Sequence, residues 1–442
     1  MKKLLSKRLP PLFHIKNGNI IDPFRDKEFV GDILIKNGKI VEVGEKIEVT
    51  DEVAVCDVQG LVVTHGFCDI HAHFREPGRE DKETLTTGSQ AALAGGFTTV
   101  CVMPNTDPPL DSPESIRFIC EKATDLPINI LPIGTITKGM KGRELSEMSA
   151  MYEEGAVAFS DDGLPLVDGG VLRRALEYSS RMGVPIINHA EDPTLKLTGQ
   201  MHEGRWSTKL GLIGIPYVSE SIMVSRDIQI AGFTGGRLHV PHVSSEKSME
   251  YIRNAKDEKW LVTAEVTPHH LYFTDSDLEG YNTYLKVAPP IRTEEDRQAL
   301  INGLKDGVID CIATDHAPHT VEDKESPFDW APNGMIGLET AFGASWYVLF
   351  ENKIPLRKVI ELFTVNPRRI LGFELDLFRY GVEAELVILD VEKKWVFNED
   401  HIYSKSRNSA FIGKELLGYP VGVISTNRFY SNDETFFSKY MT

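Results

Sequence analysis

Short apolar segments alternate with longer amphipathic segments through the middle of the chain. Eight of the apolar segments have the length of β-strands: GFCDIHAHF, FTTVCVMPN, INILPIGT, AVAFSDD, VPIINHAE, RLHVPHVS, LVTAEVT and VIDCIATDHAPH. Segments with helical periodicity lie between them, such as ESIRFICEKAT, GGVLRRALEYSSRMG and EDRQALINGLKDG, and they end at a glycine or a turn. This alternation predicts repeated βα units and a parallel sheet.

Eight parallel strands are the number that closes a TIM barrel, and we assign residues 65–372 to one. Shorter β-rich pieces precede this region at residues 12–64 and follow it at residues 382–426. Because the two ends resemble each other and differ from the middle, we expect residues 1–64 and 373–442 to form one composite domain. The predicted fold class is α/β, a (β/α)8 TIM barrel with a small β-sandwich domain formed from both chain ends.

The composition is that of a globular protein in water. The chain has 442 residues, of which 41% are hydrophobic and 26% charged, and no run of about 18 apolar residues indicates a membrane span. The net charge of −17 and the lack of a basic block argue against nucleic-acid partners and anionic membrane surfaces. The N-terminus has no secretory signal, and the five cysteines form no CxxC pair, so we expect a cytoplasmic protein with reduced thiols.

The segment CDIHAHFREPG places two histidines and an arginine at alternate positions. On an extended strand, His71, His73 and Arg75 would project to the same side. In a TIM barrel the active site lies at the C-terminal ends of the strands, where polar residues recur in this chain. These residues are His71, His73, Asn105, Asp162, His189, His242 and Asp315. Their nitrogen and oxygen atoms suit zinc or a similar divalent ion, so the sequence predicts a metal site.

The remaining histidines are less informative. Five of them lack this placement, and we interpret them as hydrogen-bonded core or surface residues: His14, His65, His202, His239 and His401. His269 and His270 also lie at a strand end, so both a site role and a packing role stay open for them. Along RLHVPHVS, a two-residue period places Val240 and His242 on one face and His239 on the other, which favours His242 as the site residue.

With these residues in view, the chain resembles the dihydroorotases of the amidohydrolase superfamily, particularly the type I bacterial group. The motifs GFCDIHAHFREPG, AGGFTTVCVMPNTDPP, INHAED, HVSS and ATDHAPH carry the resemblance, which runs over nearly the whole chain. The resemblance implies that His71 and His73 bind one ion and that His189 and His242 bind a second. It also implies that Asp315 is a ligand of the first ion and serves as acid and base.

One departure concerns the metal bridge. Many members of the superfamily join two metals through a carboxylated lysine at the end of the fourth strand, where this chain reads AFSDDG. The resemblance to a subset with an aspartate pair makes Asp162 the metal ligand, with Asp161 as the alternative ligand or a solvated turn residue. Because aspartate is shorter than a carboxylated lysine, we hypothesise a weaker or partly filled second site. The implied cofactor is zinc, at one or two ions per chain.

The resemblance implies L-dihydroorotate as the substrate, hydrolysed reversibly to N-carbamoyl-L-aspartate. The guanidinium of Arg75 matches the substrate carboxylate, and Asn105 and His319 correspond to the other carboxylate contacts of the family. Backbone groups near Asn333 and Gly334 are expected to contact the ring. A second departure is Ala288, in VAPPIR, where relatives often carry an asparagine.

The acidic, glycine-punctuated segment HTVEDKESPFDWAPNGMIG suits a loop that closes over the mouth of the barrel, although an ordinary surface loop has the same composition. Its length does not decide between these two interpretations.

Two other functions fit parts of the pattern. Hydantoinases, dihydropyrimidinases and allantoinases share the barrel, but they do not anchor a substrate carboxylate in this way and usually carry the bridging lysine. A non-catalytic subunit that scaffolds aspartate transcarbamoylase is the alternative from another class, yet such forms should lose metal ligands that this chain retains. An active enzyme could also bind aspartate transcarbamoylase, and a homo-oligomer is equally compatible with the sequence.

Overall fold

The computed structural model describes residues 3–49, 53–431, 433 and 435–440. Each of the eight predicted strand segments contains a β-strand, although some of these strands have only two residues. The strands in chain order are β1 (Leu5–Arg8), β2 (Leu12–Asp22), β3 (Lys27–Lys36), β4 (Lys39–Gly44), β5 (Ala54–Asp57), β6 (Val62–His65), β7 (Phe67–Ala72), β8 (Phe97–Val102), β9 (Asn129–Pro132), β10 (Phe159–Ser160), β11 (Ile186–Ile187), β12 (Met201–His202), β13 (Gly214–Ile215), β14 (Leu238–Val240), β15 (Val262–Val266), β16 (Cys311–Ile312), β17 (Leu386–Val396), β18 (Glu415–Ser425) and β19 (Arg428–Ser431).

The predicted helices are also present, and their ends follow capping rules. Ser112 caps the helix that starts at Pro113, and Thr293 caps the one that ends at Gly307 in a left-handed conformation. The helices are α1 (Leu85–Ala94), α2 (Pro113–Ala123), α3 (Met148–Glu153), α4 (Gly169–Ser179), α5 (Pro193–Lys196), α6 (Arg205–Leu210), α7 (Val218–Thr234), α8 (Glu246–Asp257), α9 (Pro268–Tyr272), α10 (Glu294–Asp306), α11 (Val321–Lys324), α12 (Ala341–Glu351), α13 (Leu356–Phe363), α14 (Val365–Leu371) and α15 (Phe436–Tyr440).

Eight parallel strands form two sheets that meet at both edges. One sheet has the order β7-β8-β9 and the other has the order β10-β11-β14-β15-β16. Isolated parallel bridges join Gly134 to Phe159 and Ala72 to His316, so each edge of one sheet reaches an edge of the other. The α/β class is confirmed, and the C-terminal ends of all eight strands lie on one side of the molecule.

A nine-stranded sheet combines strands from the two ends of the chain. Its order is β1-β19-β18-β17-β6-β2-β3-β4, with β5 beside β2. Strand β17 is antiparallel to β6, where Leu386 lies opposite His65 and Ile388 lies opposite Val63. These residues are buried, so the first and last parts of the chain share a core.

The two Asn-Gly pairs near the N-terminus have different structures. Asn37 and Gly38 form the tight turn between β3 and β4, as the sequence pattern predicts. Asn17 and Gly18 instead lie within β2, where the register against β3 shifts. The Asn17 amide donates a hydrogen bond to Asp32 Oδ1 at 3.0 Å, so this pair forms a β-bulge.

All five cysteines are free, and four of them are buried. Among the described residues, none of the helices has the length and apolar character needed to cross a bilayer.

The shared core predicts that two substitutions in β17 differ strongly in their effect on the free energy of unfolding. Ile388 is fully buried, whereas Val396 in the same strand is 51% exposed. We expect Ile388→Ala to lower the free energy of unfolding by about 2–5 kcal/mol because it leaves a cavity. Val396→Ala should change it by less than about 0.5 kcal/mol. Urea unfolding measures both, and equal effects would contradict the buried position of Ile388.

Candidate metal centre and substrate pocket

The carboxylate of Asp162 lies between two groups of histidines. Its Oδ2 atom is 3.6 Å from His71 Nε2 and 3.5 Å from His73 Nε2. Its Oδ1 atom is 3.7 Å from His189 Nδ1 and 3.5 Å from His242 Nε2. Each oxygen therefore faces one pair of imidazoles at similar distances, and the weaker second site stays a prediction.

Asp315 completes the first group. Its Oδ1 atom is 3.0 Å from His73 Nε2 and 3.6 Å from His71 Nε2. Its other oxygen accepts no hydrogen bond from a residue within the described ranges. Asp315 thus has one oxygen among the imidazoles and one available to a ligand in the pocket.

The spacing of these atoms fits divalent ions. Ligands about 2.0–2.1 Å from a tetrahedral zinc ion are roughly 3.3 Å from one another, and the nitrogen–oxygen distances here run from 3.0 to 3.7 Å. Moreover, His71 Nε2 and Asp162 Oδ1 are buried and have no hydrogen-bond partner in the described part of the chain. A cation on each side of Asp162 would satisfy both atoms, so the residues present fit a pair of metal ions.

The electrostatics of the centre also favour cations. Burial would raise the pKa of Asp162, but its neighbours, His71 above all, hold it well below its usual range. Burial would lower the pKa of His71, yet Glu265 and Asp162 raise it well above the ordinary value. A buried cluster that holds a proton this strongly has excess negative charge, which a divalent ion can neutralise.

Three of the predicted site residues have left-handed backbone conformations. The φ angles are 60° at Arg75, 35° at His242 and 45° at Asp315. Such conformations are uncommon for residues other than glycine and concentrate at functional sites. Each one turns the chain just after a strand, so these side chains are directed by a local turn and not by the strand's alternation.

At Arg75 and His242, these left-handed turns replace the side-chain alternation that strand periodicity predicts. Strand β7 ends at Ala72, so Arg75 reaches the pocket through its left-handed turn and does not extend the row of histidines. Val240 packs in the large apolar cluster, while His239 Nε2 is 3.0 Å from Glu265. His242 comes within 3.5 Å of Asp162 because the alternation ends before it, so strand periodicity is not the reason that this histidine enters the cluster.

Glu265, which the sequence analysis did not single out, orients the first histidine. Its Oε1 atom is 2.6 Å from His71 Nδ1, and its Oε2 atom is 3.0 Å from His239 Nε2. Burial would raise the pKa of Glu265, but His71 and His239 lower it to about 2. With His71 Nδ1–H donating to Glu265, the lone pair of Nε2 is directed towards Asp162 and Asp315. The interpretation of His239 as an ordinary core residue therefore missed its link to this network.

Two further groups orient the other imidazoles. His73 Nδ1 donates to Asn105 Oδ1 at 2.8 Å, which leaves Nε2 facing Asp315. His189 Nε2 is 3.4 Å from Glu191 Oε2, which leaves Nδ1 facing Asp162. Asn105 thus contacts a candidate ligand as well as the pocket, and Glu191 is a second residue that the sequence analysis missed.

Asp161 does not enter the cluster. Its Oδ1 atom accepts hydrogen bonds from the amides of Ile136 at 2.8 Å and Thr137 at 3.1 Å, and its Oδ2 atom bonds the Thr137 hydroxyl. Asp161 is only 2% exposed, so its interpretation as a solvated turn residue is wrong. It fixes the loop after β9 to the end of β10.

The two histidines of α9, His269 and His270, differ in their hydrogen bonding. His270 bonds the Thr267 hydroxyl and the carbonyl of Pro289, so it holds local structure. His269 is 1% exposed, and its Nε2 atom has no hydrogen-bond partner among the described residues. Neither histidine lines the pocket beside Asp162.

The metal cluster opens into a polar pocket of about 240 Å³. The residues that line it come from the ends of the strands and the loops that follow: His73, Arg75, Asn105, Asp162, Gly163, His189, Lys196, His242, Ala288, Asp315, Ala317, His319, Asn333 and Gly334. The pocket therefore contains every substrate-contact residue predicted from the sequence. It also contains Lys196, which the sequence analysis did not consider.

Arg75 presents a charged guanidinium to this pocket. Its Nε atom donates to the carbonyl of Pro318 at 3.3 Å, and its other nitrogens have no protein acceptor within the described ranges. Burial lowers the pKa of Arg75 to about 10, so the group remains cationic at neutral pH. It is free to form a forked interaction with a carboxylate.

His319 is already engaged on both ring nitrogens. Its Nδ1 atom is 2.9 Å from Lys82 Nζ, and its Nε2 atom donates to the carbonyl of Asn333 at 2.8 Å. Burial and the cations Arg75, Lys82 and Lys324 hold its pKa well below the ordinary value, so the ring is neutral. A contact to a substrate carboxylate requires His319 to exchange one of these partners, and Lys82 was not foreseen.

Gly334 allows the chain to pass close to the pocket wall. Its φ is +127°, and a Cβ atom there would lie 2.7 Å from Ala317 Cβ. Its amide donates to the carbonyl of Lys286 at 2.8 Å, so that amide is not available to a ligand in this arrangement. Of the two predicted backbone contacts, the amide of Asn333 is the better candidate.

The loop from His319 to Gly337 is fixed at several points. Lys324, which is 1% exposed, donates to the carbonyl of Pro332 at 2.7 Å, and Lys286 donates to that of Phe328 at 2.6 Å. Asn408, from the C-terminal part of the chain, accepts from the His319 amide at 3.1 Å and donates to Ala317 at 3.0 Å. The composite sheet region thus supports the wall of the pocket.

Comparisons with known proteins agree with this architecture. Residues 60–248 match a family model described as dihydro-orotase-like. A dihydroorotase of Caldicellulosiruptor saccharolyticus is 45% identical over 422 residues, which cover 95% of this chain and 98% of the relative. A dihydroorotase of Aquifex aeolicus is 43% identical over 420 residues, which cover 95% and 99%.

Among solved structures, the L-hydantoinase from Arthrobacter aurescens superposes with a TM-score of 0.83 at 26% identity, over 93% of this chain and 94% of that one. A dihydropyrimidinase from Brevibacillus agri has a TM-score of 0.80 at 21% identity, over 95% and 94%, and shows the fold alone. The fold and the histidine–aspartate centre define a member of the amidohydrolase superfamily, whose enzymes are metal-dependent hydrolases. Within that class, the chain belongs to the dihydroorotase family.

The role of Glu265 predicts an effect on metal affinity. Replacing Glu265 by Gln removes the charge that fixes His71, so we expect zinc to bind about 10–100-fold more weakly. Glu279→Gln is the matched control, because this side chain is 61% exposed and pairs with Lys209 away from the pocket. Equilibrium dialysis against zinc measures both variants, and circular dichroism reports their folding. An unchanged zinc affinity in a folded Glu265→Gln protein would show that Glu265 does not orient the ligand.

Proposed function

We propose that this chain is an active type I dihydroorotase. It hydrolyses the cyclic amide of L-dihydroorotate reversibly to N-carbamoyl-L-aspartate, a reaction of de novo pyrimidine biosynthesis. The observation that carries the proposal is the carboxylate of Asp162 between two pairs of imidazoles, at the base of a pocket that also contains Arg75 and Asp315. The aspartate in place of a bridging lysine supports the type I assignment.

The proposal includes the domain organisation. We assign the eight parallel strands to a closed (β/α)8 barrel within residues 65–372, and the two parallel bridges between the sheets support this closure. Residues 1–64 and 373–442 form the second, β-rich domain, which the pairing of β17 with β6 supports. We propose that this domain is a small β-sandwich formed from both chain ends, and its segment around Asn408 contacts the pocket wall.

We further propose that the centre would hold zinc, at one or two ions per chain, with Asp162 among the ligands. His71, His73 and Asp315 would hold the first ion, and His189 and His242 would hold the second. When bound, such ions lower the pKa of a water molecule towards about 7 and polarise the substrate carbonyl. Glu265, Asn105 and Glu191 keep the imidazoles in the tautomers that ligation requires.

Asp315 carries the proton during hydrolysis. One of its oxygens lies 3.0 Å from His73 Nε2, and the other can reach a water or the substrate in the pocket. It accepts a proton from the attacking water and passes it to the ring nitrogen as the amide bond breaks. The neighbouring imidazoles, His73 first among them, keep the pKa of Asp315 below its usual range despite its burial, so it begins as the base.

Arg75 anchors the substrate. Its guanidinium binds the ring carboxylate through two parallel hydrogen bonds, and the amide nitrogen of Asn105 adds a third contact. This anchor turns the ring amide towards Asp162 and Asp315. Hydantoins and dihydropyrimidines lack this carboxylate, so they would be poorly held.

A substrate panel tests the proposed function. The zinc-loaded protein is assayed with L-dihydroorotate, dihydrouracil, hydantoin and allantoin. We expect it either to hydrolyse dihydroorotate alone or to hydrolyse it with a kcat/KM at least about 100-fold higher than for the other three compounds. Preferential turnover of dihydrouracil or hydantoin would instead identify a hydantoinase-type enzyme, which the similarity to L-hydantoinase makes the main alternative.

We propose that the chain is catalytic by itself, although the family also includes partners of aspartate transcarbamoylase. Its retention of the complete histidine and aspartate set supports this view. Assays of the protein alone and after mixing with aspartate transcarbamoylase on a sizing column separate an independent enzyme from a dependent subunit. The same column reports whether it forms a homo-oligomer.

The role of Arg75 predicts a selective loss of substrate binding. We expect Arg75→Ala to raise the KM for dihydroorotate by roughly 10–100-fold, because a charge-assisted contact is lost. Arg75→Lys should recover only part of the affinity. Arg79→Ala, which removes an exposed arginine paired with Asp81, is the control and should leave KM unchanged. Zinc content should be equal in all three variants, and an unaltered KM in Arg75→Ala would remove Arg75 from the substrate site.

A further inference from the structure

The pocket contains a second cation that the reaction described above does not use. Lys196 is the last residue of the short helix α5, and it lines the same pocket as Arg75. Arg75 follows β7, whereas Lys196 follows β11. In the strand order closed by the two bridges, three strands separate β7 from β11 in either direction. The two cations therefore come from segments that follow strands far apart in this order.

A buried carboxylate holds Lys196 in this position. The ammonium group of Lys196 bonds Glu191, whose side chain is 2% exposed and also faces His189. The side chain of Lys196 itself is 25% exposed. An ammonium group has three donors, and Glu191 uses one of them, so others can reach a ligand in the pocket. Asp192 fixes the start of α5 by accepting from the Thr194 amide at 2.8 Å.

The proposed reaction changes the number of carboxylates in the ligand. Hydrolysis forms a carbon–oxygen bond at the ring carbonyl and breaks its bond to nitrogen. One proton of the water moves to that nitrogen, and the second is released to solvent. The cyclic substrate has one carboxylate, whereas the open product has two.

We propose that Lys196 binds the carboxylate that ring opening creates, while Arg75 binds the carboxylate present throughout. This assignment rests on the proposed function. It makes Lys196 a specificity residue for N-carbamoyl-L-aspartate, because the cyclic compound offers no charge at that end. Negative charge already grows on the attacked carbonyl in the transition state, so Lys196 stabilises the transition state and the open compound but not the cyclic one.

This selectivity has a defined kinetic pattern. Loss of the Lys196 contact weakens the binding of the open compound and of the transition state by the same factor. In ring closure, KM for N-carbamoyl-L-aspartate rises and kcat is unchanged. In hydrolysis, kcat falls and KM for dihydroorotate is unchanged. The ratio of the two kcat/KM values stays constant, as the equilibrium constant of the reaction requires.

The experiment measures kinetics in both directions for Lys196→Met and Lys196→Gln in the zinc-loaded enzyme. We expect about a tenfold rise in KM for N-carbamoyl-L-aspartate and about a tenfold fall in kcat for hydrolysis, as for a lost charge-assisted hydrogen bond. Lys196→Arg, which keeps the charge, should recover most of both effects. Lys209→Met is the matched control, because it removes an exposed lysine–glutamate pair, and it should behave as wild type.

Three outcomes would overturn the assignment. Wild-type kinetics in both neutral variants would show that Lys196 does not contact the ligand. Equal rises in the KM values of both compounds would show a general effect on the pocket. Loss of zinc would show that Lys196 acts only through Glu191 and His189. By contrast, a wild-type protein that acts on neither compound would contradict the proposed function itself.

Discussion

The buried carboxylate of Asp162 is the constraint on which the rest of the site depends. It stands among four imidazoles and near Asp315 and is only 4% exposed, so an uncompensated negative charge there is costly. Bound cations would offset that cost. The candidate ligands come from both parallel sheets, and the strands, whose C-terminal ends lie on one side, bring these residues to one point.

A second layer of polar groups converts a cluster of imidazoles into an ordered centre. Glu265, Glu191 and Asn105 each bind the ring nitrogen that faces away from Asp162. Without them, each ring could present either nitrogen, and the centre would have to select one arrangement from many upon binding. The order of the site is thus set by hydrogen bonds within the protein.

The sequence was most informative where local pattern and topology coincide. The α/β class and the positions at strand ends follow from periodicity, because parallel strands bring their ends to one edge. Glu265, Glu191, Lys82 and Lys196 could not be found in this way, because their roles arise from neighbours distant in the chain or from side-chain rotamers. Backbone turns also interrupt the strand periodicity. The left-handed conformation of His242 directs its side chain to a different face from the one that strand alternation predicts.

The bonds from Asn408 to Ala317, Gly334 and the amide of His319 connect the end of the chain to the pocket wall. During synthesis on the ribosome, every candidate metal ligand emerges before Asn408 does. The candidate ligands are thus translated before the segment that supports the pocket wall. Translation of the segment that contains Asn408, which follows all of the candidate metal ligands, is then the event that completes the pocket wall.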